Sequence, residues 1–111
     1  NSVDNAPNAN GTEVYYADSN NGNAYGTTSE KLATNILNRM LYYMGSTNRG
    51  VKTAEHAVTK RCEMPAALTE VGFITNPTEV YNMTTDEYQY KAAQGIAEGI
   101  MITLKDINVP Q

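Results

Sequence analysis

The sequence predicts an α/β fold, a mostly parallel sheet with helices on both faces, and three observations lead there. A β-prone run, Thr12–Tyr16, lies between two Asn-Gly turn signals. A capped amphipathic helix follows it. A short, almost continuously apolar run, Ala66–Gly72, then precedes two more capped helices. Strand, helix, strand, helix, helix is the order of an α/β unit.

Taken in order, residues 1–26 are rich in Asn and Gly, with turns expected at Asn10-Gly11 and Asn21-Gly22. Between them Thr12-Glu13-Val14-Tyr15-Tyr16 alternates and favours a strand, and Ala17–Gly26 reads as a surface loop. A helix over 27–45 takes Thr27 as its N-cap, with Glu30 three residues on completing a capping box. Leu32, Ala33, Ile36, Leu37, Met40, Leu41 and Met44 recur at helical spacing as one apolar stripe. Gly45 stops it, because glycine enters a left-handed cap without strain.

Residues 46–76 read as a loop and a central strand. Asn48–Lys52 enters a short extended piece, and Ala66–Gly72, bounded by Pro65 and Gly72, suits a strand buried on both faces of a parallel sheet. Helices fill 77–107. Asn76-Pro77-Thr78-Glu79 combines an N-cap, a proline at the first helical position and a glutamate at the third. Thr84 and Glu87 repeat the capping pattern for a long last helix. That helix carries Ala93, Ile96, Ala97, Ile100, Met101 and Leu104 on one face, and Gly95 and Gly99, one turn apart, suit close packing onto a sheet. No internal repeat or linker divides the 111 residues.

Composition narrows the function. A hydrophobic fraction of 41% is that of an ordinary globular chain, and a net charge of -4 leaves no basic block to bind nucleic acid. Polar residues interrupt every apolar stretch well short of membrane-spanning length. Cys62 is the only cysteine, so no internal disulfide forms, and a spectator thiol is the plain reading. His56 is the only histidine. With Glu55, Glu63 and Cys62 it makes no recognised ligand spacing, so a packing or surface role is the simpler one. Gly-x-Ser-x-Gly and phosphate-binding glycine loops are absent.

Glu70 is the residue to single out. A carboxylate inside an apolar strand, followed by Val71-Gly72-Phe73, is unusual. Desolvation in such a strand raises a carboxylic acid toward neutral pH and makes it a usable general acid or base. Open α/β sheets also bind their ligands at the C-terminal ends of strands. The competing reading is a solvent-facing or salt-bridged strand-end glutamate, with Arg49 and Lys52 as candidate partners.

Several blocks, read together, extend this. They are Gly11–Tyr16, Ser29–Ala33, Asn48–Lys52, Met64–Asn76, Glu79 and Ile96–Ile100. In this order and spacing the chain resembles the zinc-dependent N-acetylmuramoyl-L-alanine amidases with an Amidase_3-type catalytic domain, and specifically the C-terminal half of that domain. The resemblance implies hydrolysis of the amide between N-acetylmuramic acid and the L-alanine of the peptidoglycan stem peptide. It places the family's catalytic glutamate at Glu70 and matches Arg49 to a segment near the site, where a substrate contact or a loop-fixing hydrogen bond is expected. The family's Zn2+ is held by two histidines and a glutamate that would lie upstream of Asn1, so no metal ligand is expected in this chain. Asn1-Ser2 matches the tail of the motif carrying the last of those histidines. The expected partners are peptidoglycan and either an N-terminal half of the same domain or a second copy, through an open sheet edge. Action would be outside the cytoplasm, at the wall, secreted or in phage lysis. The alternative is a non-catalytic fragment or wall-associated interaction module.

Overall fold

The computed structural model describes residues 1–107 and is α/β. Three strands form one sheet in the order β2–β1–β3: β1 (Thr12–Tyr16), β2 (Asn48–Thr53) and β3 (Leu68–Glu70). Helix α1 (Ser29–Met44) packs on one face of β1. Short helices α2 (Ala57–Lys60) and α3 (Pro77–Met83) lie in the connections, and α4 (Asp86–Leu104) packs against α1.

The sheet is mixed. β1 and β2 are parallel, as a connection through α1 requires. β3 is antiparallel to β1 and stands at an edge of the three strands, half-buried. It is therefore shorter than the expected run, and neither central nor buried on both faces. Apolar continuity in a run of seven residues does not encode strand direction, and the flanking residues 66, 67 and 71 pack in extended coil instead.

On β1 the alternation works as read. Val14 and Tyr16 point into the core with Ala33, Ile36, Leu37 and Met40 of α1. Glu13 and Tyr15 point to the other face. The α1 stop is the expected one: Gly45 has φ of 66° and donates its N–H to the Leu41 carbonyl. The start is shifted by one residue. Thr28, not Thr27, is the N-cap, and its hydroxyl accepts from the Lys31 N–H at 3.2 Å. The Thr27 hydroxyl is buried without a hydrogen-bond partner, and Glu30 accepts from the Tyr16 hydroxyl at 2.9 Å instead of closing a capping box. Thr28→Ala should therefore cost about 1 kcal/mol in urea unfolding. Thr27→Val, which removes an unsatisfied buried hydroxyl, should be neutral or stabilising.

The last helix departs furthest from its expected face. Its N-cap is Thr85, one residue later than Thr84, and its buried side is Ala92, Gly95, Gly99 and Thr103. This small-residue stripe lies on α1 rather than on the sheet. Ile100, Met101, Ile102 and Leu104 are exposed, and Ile100 and Leu104 line an apolar groove with Leu32, Met64 and Pro65. Helix α3 agrees with its signals: the Asn76 side chain accepts from the N–H groups of Thr78 and Glu79, with Pro77 opening the first turn.

Candidate active site

Glu70 ends β3, at the C-terminal tip of the strand, with its side chain 28% exposed. Across the antiparallel pair it faces Glu13, so both carboxylates leave the same side of the sheet. Neither Arg49 nor Lys52 pairs with Glu70. Both go to Glu13, and the ion-pair partner of Glu70 is the Asn1 amino group at 3.3 Å.

The backbone at Asn1 closes one side of the site. The Asn1 nitrogen lies 3.3 Å from Glu70 Oε2 and donates to the Gly72 carbonyl at 3.0 Å. The Asn1 carbonyl in turn accepts from the Ile74 N–H at 2.7 Å. These two bonds tie Asn1 to the neighbours on either side of Phe73. The Val3 N–H continues the contact to the Thr75 hydroxyl at 3.2 Å.

Glu13 anchors this face. Its side chain is 3% exposed. One oxygen accepts from Asn1 Nδ2 at 2.6 Å and the Tyr15 hydroxyl at 3.0 Å. The other accepts from Arg49 Nε at 3.3 Å and from the Lys52 ammonium. Burial alone would raise this carboxyl, but the hydrogen bonds from Lys52, Asn1 and Tyr15 outweigh it and hold the group below the usual carboxylate range. The sequence offered no local sign of this, because each of Glu13's partners is brought in by a different part of the chain or by the pleat.

Arg49 is held on three sides. Beyond Glu13 it reaches the Asn10 carbonyl at 3.4 Å, and its guanidinium lies 4.8 Å from the centre of the Phe73 ring. Its side chain also fills the space where a Cβ at Gly11 would stand, 2.8 Å from Arg49 Cγ, so the left-handed Gly11 (φ of 113°) and Arg49 fit as a pair. Glu79 locks the floor below: its buried carboxylate accepts from the Gly11 N–H at 3.0 Å and the Phe73 N–H at 3.1 Å. That tie joins the start of β1 to the loop after Glu70.

The other titratable candidates are not brought together. His56 caps α2 and sets its ring edge-on to Tyr15, with centroids 5.3 Å apart. Cys62 is exposed, its thiol on the Val58 carbonyl, and Glu55 accepts from Ser19. Among the described residues no three His, Cys, Asp or Glu side chains are grouped to hold a metal ion. His56 is turned to Tyr15, Glu55 to Ser19 and the Cys62 thiol to the Val58 carbonyl, so the set of His56, Glu55, Glu63 and Cys62 is not assembled to fit a zinc ion.

Residues 1–101 match the family model described as N-acetylmuramoyl-L-alanine amidase, Amidase_3. The chain belongs to this amidase family. Among solved structures it is similar to the N-acetylmuramoyl-L-alanine amidase AmiC2 of Nostoc punctiforme, with a TM-score of 0.82 and 36% identity over 95% of this chain and 54% of that one. The N-acetylmuramoyl-L-alanine amidase of Clostridium difficile 630 superposes with a TM-score of 0.84 at 30% identity, again over 95% and 54%. Among curated relatives, the N-acetylmuramoyl-L-alanine amidase LytC of Bacillus subtilis is 37% identical over 81% of this chain and 17% of its own length. The uncharacterized protein YqiI of the same organism is 36% identical over 83% and 43%. The chain thus spans about half of those amidase structures and less than half of those curated relatives. Its mixed three-stranded sheet with α1 and α4 is part of the amidase fold. No helix among its described residues is long and apolar enough to cross a membrane.

Proposed function

We propose that this chain is the acid–base half of a peptidoglycan hydrolase that cleaves the amide between N-acetylmuramic acid and L-alanine of the stem peptide. One observation carries the reading: Glu70 stands part-exposed at the tip of β3, free of Arg49 and Lys52, with the polypeptide entering Asn1 beside it at 3.3 Å. Amide hydrolysis needs a group that takes a proton from the attacking water and returns one to the leaving nitrogen, since an amide anion is a poor leaving group. Glu70 is that group in this reading.

The ties of Asn1 to Gly72 and Ile74 support a direction for what precedes it. A chain running into Asn1 continues alongside Val71 and Glu70, along the open edge of β3. We place the zinc ligands implied by the family on that preceding segment, which this chain does not include. The same segment covers the β3 edge. The ties of Asn1 to Gly72 and Ile74, beside β3, support an upstream half of the same domain over a second copy as the partner. Arg49 fixes the Asn10–Gly11 loop and offers its exposed side to substrate. The site of action is peptidoglycan outside the cytoplasm.

Rejoined to its upstream segment, the chain should bind zinc and release muropeptides whose new end is a free L-alanine amine. Elemental analysis and chromatography of digested peptidoglycan measure both, and the chain alone should do neither. A rejoined protein that binds zinc yet leaves this amide intact would sink the proposal.

A further inference from the structure

Two carboxylates and two cations share the sheet face that carries Glu70. β2 contributes the cations Arg49 and Lys52, β3 contributes Glu70, and Glu13 stands on the central strand between them. Both cations end on one oxygen of Glu13. Each is only partly buried, with 35% and 39% of its side chain exposed, so neither is walled off from the rest of the face. The other charged or titratable groups around Glu70 are few. They are the Tyr15 phenol from β1, the Asn1 amine at 3.3 Å, and Glu79 of α3, whose carboxylate is turned to the backbone of Gly11 and Phe73. His56 reaches this face only through Tyr15.

We propose that Glu13 is a positioning residue for the reaction: by binding Arg49 and Lys52 it keeps both side-chain cations off Glu70, whose ion pair is instead with the Asn1 amino group. The inference rests on the reading of Glu70 as the acid–base group. Without the Glu13 charge, Lys52 loses its one ion-pair partner and Arg49 keeps only the Asn10 carbonyl and the Phe73 ring, which leaves Glu70 as the next carboxylate on the face they share. An opposite charge brought within about 4–6 Å typically lowers a carboxyl by 1–3 pH units. A carboxylate pinned that way accepts a proton less readily and has none to return to the leaving nitrogen. Glu13 also orients the Asn1 side chain, so the same residue sets the segment that enters the site.

A double-mutant cycle on Glu13 and Lys52 tests this, read by side-chain 13C NMR titration of Glu70 in the full chain. Lys52→Met should move the Glu70 midpoint little in the parent, where Lys52 is held by Glu13. In the Glu13→Gln background the same change should raise it by about one pH unit or more, as the released cation is removed. Equal effects in the two backgrounds overturn the inference. Where Glu13→Gln does not fold, Lys52→Met alone remains diagnostic. It should raise the midpoint of Glu13 and leave Glu70 in place, and a Glu70 shift as large as that of Glu13 overturns the idea. In the rejoined domain, Glu13→Gln should move the acid limb of kcat to lower pH, with metal content unchanged. A cycle that behaves as expected in a rejoined domain without amidase activity supports the charge relation and removes the functional reading instead.

Discussion

Glu70→Gln in the rejoined domain is expected to lower the rate of muropeptide release by about 10²–10⁴-fold, the usual contribution of a positioned acid–base group. Zinc content and thermal stability should stay at the parent level. The amide is nearly the same size as the carboxylate, and Glu70 is part-exposed at a strand tip, so its loss leaves no cavity and no buried unpaired charge. Glu70→Asp makes a sharper control. It keeps the acid but withdraws it by one methylene, and a displacement of about 1 Å at a reacting group can cost on the order of 10²-fold. A Gln variant that digests peptidoglycan at the parent rate takes the acid–base role away from this residue, whatever the family likeness.

The pattern of what the sequence disclosed follows the range of the signals. Thr12–Tyr16, the Gly45 stop and the Asn76-Pro77 start depend on residues within one turn or one pleat, and all three stand where the local chemistry puts them. The one-residue shifts at Thr28 and Thr85 arise because two adjacent threonines cap equally well, and tertiary contacts choose between them. Glu70 stands out in the sequence because a carboxylate amid apolar neighbours is conspicuous, and its acid–base role is the proposal made above. Its setting was not legible. Glu13, which faces it and binds both nearby cations, looks like an ordinary outward residue of an alternating strand, and its burial comes from Asn1, Arg49 and Lys52 converging over it. The direction of β3 was equally hidden, since an apolar run of that length fits either edge of β1 in either sense.

The misread face of α4 leads to the second large effect. A periodicity argument follows bulky apolar residues, so it put Ile100 and Leu104 on the packed face and gave Gly95 and Gly99 a close approach to the sheet. The structure keeps the close approach but makes it to α1, and leaves Ile100 and Leu104 exposed. A Cβ at Gly99 would lie 2.4 Å from Ile36 Cα, and one at Gly95 would lie 2.5 Å from Met40 Cα. Both obstacles are backbone of α1, which cannot swing aside as a side chain can. The two helices meet at a distance that only glycine permits, and polar ties finish the joint: Asn35 to Thr103 at 3.0 Å and Arg39 to Glu98 at 3.0 Å, with Tyr43 also donating to Glu98. Gly99→Ala would gain up to about 1 kcal/mol of helix propensity. To fit, however, it must push the helices apart and loosen those ties, and overpacking of this kind typically costs about 1–3 kcal/mol. With backbone as the obstacle we expect the upper end, a net loss of about 2 kcal/mol and a fall in Tm on the order of 10 °C. Gly95→Ala should behave alike, and the pair together should separate α4 from α1. Gly22→Ala, where a Cβ would meet nothing within 4 Å, is the control and should leave thermal unfolding unchanged. If Gly99→Ala instead melts at or above the parent temperature, helix propensity has won, and the close approach of α1 and α4 is not what seats the last helix.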